Sequence, residues 1–219
     1  MAVMLGSVLA VSTADPAAAQ TQCGTDRGTP PVLSVDRPVL PATGASTVTV
    51  TGGNYLVPKT AWNAATNRCN DVRGGVYVFF GWVNPAGNWG PSTRANAPGA
   101  GKFGSGYTYP GESGGAETRE VAADVPIRFV SFSPGGESGS STPFHMDGAG
   151  NWSTQLVVTG PTYAWSGEGL GSGSVDCRAV QCGVFTIGAH GIPSATNEVF
   201  TPITFTVPAG ATAGGGGGN

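Results

Sequence analysis

The residues best suited to chemistry in this 219-residue chain are four cysteines and two histidines. Cys177 and Cys182 lie close enough in sequence for a local disulfide, which leaves Cys23 to pair with Cys69. Four cysteines in an exported chain favour two such disulfides. The spacing is neither the CxxC of a redox motif nor the paired CxxC units of a zinc site. We therefore predict two disulfides, no metal and no cofactor.

The two histidines, His145 and His190, have neither zinc-ligand spacing nor a catalytic motif beside them. The chain contains no GxSxG nucleophile elbow, and the acidic residues between 112 and 124 are typical of a solvated run. We expect His190 to be a solvated or locally hydrogen-bonded residue at a strand end. Abundant serines and aspartates still leave a Ser–His–Asp triad open. We predict that the protein is not an enzyme, with an unrecognised hydrolase as the least favoured alternative.

The N-terminal residues 1–19, MAVMLGSVLAVSTADPAAA, have the pattern of a signal peptide. A short apolar run precedes small residues that fit a cleavage site, and the run is too short to span a membrane. We predict removal of residues 1–19, no membrane span thereafter, and a secreted or envelope-associated protein. The formal net charge is −3. Because no basic patch stands out, we expect no nucleic-acid partner.

The remaining chain has the composition and periodicity of a β protein. It contains 37 glycines and 17 prolines, and only 11% of its residues are charged, which disfavours long helices. Apolar and polar residues alternate in several segments, as in half-buried strands: 31–37, 46–51, 126–132, 151–158 and 199–207. Segment 76–83, VYVFFGWV, is apolar on both faces. The sequence predicts an all-β fold, a seven-stranded immunoglobulin-like β-sandwich over residues 20–207.

Two segments do not fit a minimal sandwich. Residues 84–125 form a long Gly/Pro-rich insertion that includes Phe103, Tyr107 and Tyr109. A strand that is apolar on both faces needs two covers, the opposite sheet on one face and the insertion, a ligand or a partner on the other. We expect the insertion rings to pack against 76–83, with the stretch around 92–101 the most mobile. Residues 208–219 have the composition of a Gly-rich flexible tail.

Three blocks resemble the neocarzinostatin family, the actinomycete apoproteins of enediyne chromophores: LSVDRPVLPATGASTVTVTGGNYL (33–56), DGAGNWSTQLVV (147–158) and VDCRAVQCGVFTIGAHG (175–191). The resemblance implies a seven-stranded immunoglobulin-like sandwich, with Cys177–Cys182 as the family's second disulfide. The family's first disulfide lies on the strand that matches 76–83, where this chain has Phe80 and Gly81. With its long insertion, the chain looks more like larger actinobacterial exported envelope proteins that share this domain type.

These observations favour an exported, non-catalytic binding or structural protein of the cell envelope or extracellular space. The alternative is a carrier of a small hydrophobic ligand, as the resemblance implies, and a cell-envelope component is the other expected partner. The aromatic residues that are candidates for ligand contact are Phe80, Trp82, Trp89, Tyr107, Tyr109 and Trp165. Aromatic side chains bury large areas anywhere in a fold, so core packing explains most of them equally well.

Overall fold

The computed structural model describes residues 29–56, 62–63, 68–69, 74–95, 101–112, 126–132, 143–167, 171–190 and 193–206. The chain is mostly β with almost no helix, which confirms the all-β prediction. Its strands are β1 (Val32–Val35), β2 (Val39–Pro41), β3 (Ser46–Gly53), β4 (Trp62–Asn63), β5 (Arg68–Cys69), β6 (Gly75–Val83), β7 (Tyr107–Thr108), β8 (Gly111–Glu112), β9 (Ile127–Ser131), β10 (Trp152–Val158), β11 (Thr162–Gly167), β12 (Gly171–Asp176), β13 (Cys182–Gly188) and β14 (Val199–Thr206). Two short 3-10 helices cover Pro91–Ala95 and Ala195–Asn197.

Two larger sheets form the body of the molecule. One has three antiparallel strands in the order β1-β3-β10, and the other has six, in the order β2-β14-β13-β6-β7 with β9 also paired to β6. A smaller sheet has the order β12-β11-β8, and β4 pairs with β5. Strand β6 is central, because β13 lies along one edge while β9 and β7 share the other.

The two larger sheets share one apolar core. Val48 and Val50 of β3 and Leu156 of β10 are fully buried against residues of the six-stranded sheet such as Phe80 and Ile203. The threonines that alternate with the two valines remain more exposed. This alternation matches the pattern predicted for 46–51, because successive side chains point to opposite faces of a strand.

Strand β6 is covered on both faces, as its sequence predicts. Val78 and Phe80 face the core between the two larger sheets. Tyr77 and Phe79 belong instead to a second buried cluster, which the insertion helps to form. The prediction of two covers for this strand is therefore confirmed, and the second cover comes from the chain itself.

Seven strands and immunoglobulin-like topology are not confirmed. The described residues contain fourteen strands, partly because the insertion contributes β7 and β8, which pair with β6 and β11. The sequence shows no alternation there, because each of these strands has only two residues. Within the ranges given above, no helix is long and apolar enough to cross a membrane.

Candidate functional site

The insertion packs on the outer face of the six-stranded sheet through a group of aromatic rings that we call the insertion cluster. The ring of Tyr109 stacks on Phe79 with centroids 4.2 Å apart, and Phe79 stacks in turn on Phe185 at 5.3 Å. Phe103 contacts Tyr109 at 4.7 Å. The buried members of the cluster are Tyr77, Phe79, Val83, Phe103, Tyr107, Tyr109, Ile127, Phe129, Phe185, Ile187 and Ala189. All three rings expected to cover 76–83 are in this cluster: Tyr109 stacks on Phe79, Tyr107 pairs with Val83, and Phe103 packs on Tyr109.

Polar contacts fix the insertion at a second point. The backbone N–H of Ser92 donates to Glu198 Oε1 at 2.8 Å, and the Ser92 hydroxyl donates to Oε2 at 2.5 Å. The carboxylate passes so close to Gly90 that a Cβ there would lie 1.7 Å from Oε2. Residues 96–100 of the stretch expected to be mobile lie outside the described residues. Residues 92–95 of the same stretch belong to the 3-10 helix Pro91–Ala95, which the Ser92–Glu198 hydrogen bonds attach to the start of β14.

The side chain of Tyr163 joins β11 to β6 and β7. Its hydroxyl oxygen accepts a hydrogen bond from the Trp82 N–H at 2.8 Å and lies 2.8 Å from the Thr108 hydroxyl. Burial raises the pKa of Tyr163 to about 12, although these hydrogen bonds act in the opposite direction. The neutral phenol thus holds the β11–β12 hairpin against the edge of the six-stranded sheet.

The β11–β12 hairpin has two unlike faces. Tyr163 is buried and Val175 packs against the core, so this face points inward. Trp165 shares the inward face and lies over Gly173, where a Cβ would be 3.0 Å from the indole nitrogen. The outward face is made of small residues, because strand side chains alternate between faces: Ala164, Ser166, Ser172 and Ser174.

An open groove of about 570 Å³ runs along this hairpin, within the roughly 300–1,000 Å³ range of ordinary ligand sites. None of the described residues that line it has a titratable side chain. We call it the hairpin groove, and its lining is Gly111, Ala164, Trp165, Ser166, Ser172, Gly173 and Ser174. Such a surface can offer hydrogen bonds and van der Waals contact.

A disulfide closes the loop that follows β12. Cys177 and Cys182 are bonded with their Cα atoms 5.2 Å apart, which confirms this half of the cysteine prediction. Cys23 lies outside the described residues, as does the side chain of Cys69, so their pairing stays a prediction. Beside the loop, Arg178 binds Asp176 in a 2.8 Å ion pair, and its hydrogen bonds lower the pKa of Asp176 to about 2.

The structure does not place the six candidate ligand contacts on one surface. Phe80 and Trp82 pack with the core between the larger sheets, whereas Trp89, Tyr107 and Tyr109 pack in the insertion cluster. Trp165 packs against both groups and lines the hairpin groove.

Several residues that form these surfaces carry no clear signal in the sequence. Ser172 and Ser174 cannot be recognised from the sequence, because an alternation of glycine and serine has no hydrophobic periodicity. Phe185 could have been found from its place in an apolar run after the cysteine pair. His190 was expected at a strand end, and it follows β13 half-buried against the rings of Tyr77 and Phe129.

Comparisons with protein-family models, curated proteins and solved structures found no match to this chain. Among the residues that the structure describes, no group of three or more His, Cys, Asp or Glu side chains could hold a metal ion.

Proposed function

We propose that this protein is an exported, non-catalytic β-sandwich of immunoglobulin-like topology that binds a partner in the cell envelope or extracellular space through its hairpin groove. The observation that carries the proposal is the groove itself, a surface of glycine, alanine, serine and one tryptophan on a firmly held hairpin. Serine and glycine give adaptable hydrogen bonding, as in binding loops of antibodies.

The framework around the groove supports a binding role. Tyr163 fixes the hairpin at its inward face, and the Cys177–Cys182 bond fixes the loop at its end. A surface held in this way loses little conformational entropy on binding, which favours affinity. The sequence pattern of residues 1–19 supports export, where disulfides persist.

Carriage of a small hydrophobic ligand is the second candidate function, and the insertion cluster favours it. Stacked rings such as Phe79, Tyr109 and Phe185 lie between the sheet and the insertion. A flat apolar ligand could bind there if the insertion moved aside. Protein purified from its native cells would then carry a chromophore with absorption beyond that of its own tryptophans, and a spectrum without such absorption argues against carriage.

The leading proposal is tested by expressing the full chain in the cells that encode it. We expect mature protein that begins near Gln20 in the envelope or medium, as shown by N-terminal sequencing. We also expect Ala164→Arg, which places a large charged side chain in the groove, to reduce retention by isolated envelopes. Gln155→Arg, at an exposed position of β10, is the matched control and should be retained like the parent. Intact cytoplasmic protein, or equal retention of both variants, contradicts the proposal.

A further inference from the structure

The β12 strand is an exposed sheet edge that runs beside the hairpin groove. It pairs with β11 from Gly171 to Asp176, and it is the outer strand of the β12-β11-β8 sheet. In the described part of the chain, no strand pairs with its other side. Residues 171–174 are all exposed. An edge strand presents outward N–H and C=O groups that can pair with another extended backbone.

This edge lacks the features that usually prevent such pairing. Lysine, proline and β-bulges protect the edge strands of natural proteins. Residues 171–175 contain neither lysine nor proline, and their pairing with β11 continues residue by residue without a bulge. The one charged residue of the strand, Asp176, is paired with Arg178. Among the described residues, nothing on the strand itself therefore repels a neutral partner strand.

The groove indicates what kind of strand fits. When a peptide adds to a sheet edge, its backbone supplies hydrogen bonds and alternate side chains enter adjacent pockets. The outward face beside β12 consists of Ala164, Ser166, Ser172 and Ser174, so it leaves room for a bulky side chain. A second copy of β12 would bring mainly glycine and serine, which are too small to fill the groove.

We infer that β12 binds an extended, uncharged peptide segment of another protein by strand addition, with one bulky apolar side chain of that segment in the hairpin groove. This inference rests on the proposed function and names the class of its partner. Backbone pairing makes the site tolerant of sequence at most positions, whereas the groove and the neutral edge select a large apolar residue and exclude charge.

The test uses the mature protein as bait for a phage-displayed library of random peptides of about twelve residues, longer than a typical strand. We expect selected peptides to share an uncharged stretch with one large apolar residue. Synthetic copies should slow amide hydrogen exchange within Gly171–Asp176. Ser174→Lys places on the edge strand a lysine of the kind that prevents strand pairing in natural proteins. It should weaken binding of these peptides by roughly tenfold or more. Ser153→Lys, at an exposed serine of β10, should change affinity less than about twofold.

Further variants separate the contribution of the groove from that of the strand edge. Ala164→Phe fills the groove and leaves the outer backbone groups of β12 free. It should therefore weaken the binding of peptides with a bulky residue most. If Ser174→Lys lowers thermal stability, Ser172→Lys replaces it. Failure to enrich peptides, or protection at β10 or the insertion instead, overturns the inference. Protection of β12 that rises with protein concentration in the absence of peptide identifies a second copy as the occupant, and also overturns it. If envelope retention still depends on Ala164, the proposed function stands without this partner class.

Discussion

Buried hydroxyl and amide groups determine how several elements are joined in this protein. Asn197 is fully buried, and its side chain exchanges two hydrogen bonds with the backbone of Leu56, each 2.8 Å long. The Thr186 hydroxyl donates to the Asn197 carbonyl at 2.6 Å and lies 3.0 Å from the Tyr55 hydroxyl. Burial raises the pKa of Tyr55. These residues connect the end of the β3 segment to β13 and the 3-10 helix before β14.

Asn197→Ala should destabilise the protein by about 1–3 kcal/mol, because it leaves both half-buried Leu56 backbone groups without their partner. Urea unfolding measures the change. Ser194→Ala is the matched control, since the Ser194 side chain makes no capping hydrogen bond to the same 3-10 helix. That control should stay within about 0.5 kcal/mol of the parent. A loss below about 1 kcal/mol for Asn197→Ala contradicts the role assigned to this amide.

The raised pKa of Tyr163 predicts that the free energy of unfolding falls at high pH. Its folded pKa of about 12 exceeds the ordinary value of 10.0, so the unfolded chain ionises first as the pH rises. Stability from this group is complete below pH 10 and is lost between about pH 10 and 12. The resulting decrease in the free energy of unfolding is roughly 2 kcal/mol between about pH 9 and 11.5. Tyr163→Phe should flatten the pH dependence of urea unfolding by that amount. An unchanged slope in this variant contradicts the assignment.

At the scale of elements, the insertion is a second cover for β6. Among the described residues, it is attached through the two-residue β6–β7 and β8–β11 pairings, the insertion cluster, the Thr108–Tyr163 contact and the Glu198–Ser92 hydrogen bonds. At the β6–β7 pairing, Gly81 admits the Thr108 carbonyl, since a Cβ at 81 would lie 1.9 Å from that oxygen. The insertion is thus held by local contacts that can be removed one at a time.

Glu198→Ala should free the 3-10 helix Pro91–Ala95 from the sheet and leave the fold intact. We expect faster amide hydrogen exchange at Ser92 and a loss of about 1–3 kcal/mol, because two hydrogen bonds to a charged acceptor disappear. Glu198→Gln keeps one acceptor for the Ser92 N–H and should fall between the parent and the alanine variant. Exchange at Ser92 that is equal in all three proteins would show that other contacts hold this helix.

Deletion of residues 88–122 behind a short linker should leave a folded but less stable sandwich. Phe79 and Phe185 lose their cover, and removal of even two covering rings returns roughly 300 Å² of apolar surface to water. At about 25 cal/mol per Å², this corresponds to several kcal/mol, partly offset by the entropy of the released segment. Urea unfolding and binding of an apolar dye report the change. A deletion variant that is as stable as the parent and binds no dye contradicts this role.

At the scale of the whole molecule, two packed sheets carry a third, smaller sheet at one edge. The Cys177–Cys182 bond lies where the small sheet continues into β13. It therefore ties the end of the hairpin that carries the groove to the sandwich. The ring is short, with a sequence separation of 5, so we expect the bond mainly to limit the motion of β12 relative to β13.

Replacement of both Cys177 and Cys182 by serine should lower the free energy of unfolding by about 2 kcal/mol, the loop-entropy value for so short a ring. It should also increase amide exchange in Gly171–Asp176 more than in β3. Calorimetry and hydrogen exchange measure the two effects. An equal increase of exchange in both strands would mean that the disulfide stabilises the fold globally.

The sequence by itself determined the β class, the main strands and the local disulfide, because each depends on neighbours along the chain. Alternation at 46–51 predicted the buried Val48 and Val50, and short spacing predicted the bond between Cys177 and Cys182. The apolar character of both faces of β6 predicted that it has two covers.

Only the tertiary structure decided which segments cover the two faces of β6 and where a groove forms. Pairing of β7 with β6 and of β8 with β11 joins residues remote in sequence, and two-residue strands have no periodicity to reveal them. The Gly-Ser pattern of β12 is compatible with a loop. It becomes an exposed edge only because β11 pairs with it and Tyr163 anchors β11 to the sandwich. Long-range pairing and burial decided this site, and neither is encoded in local spacing.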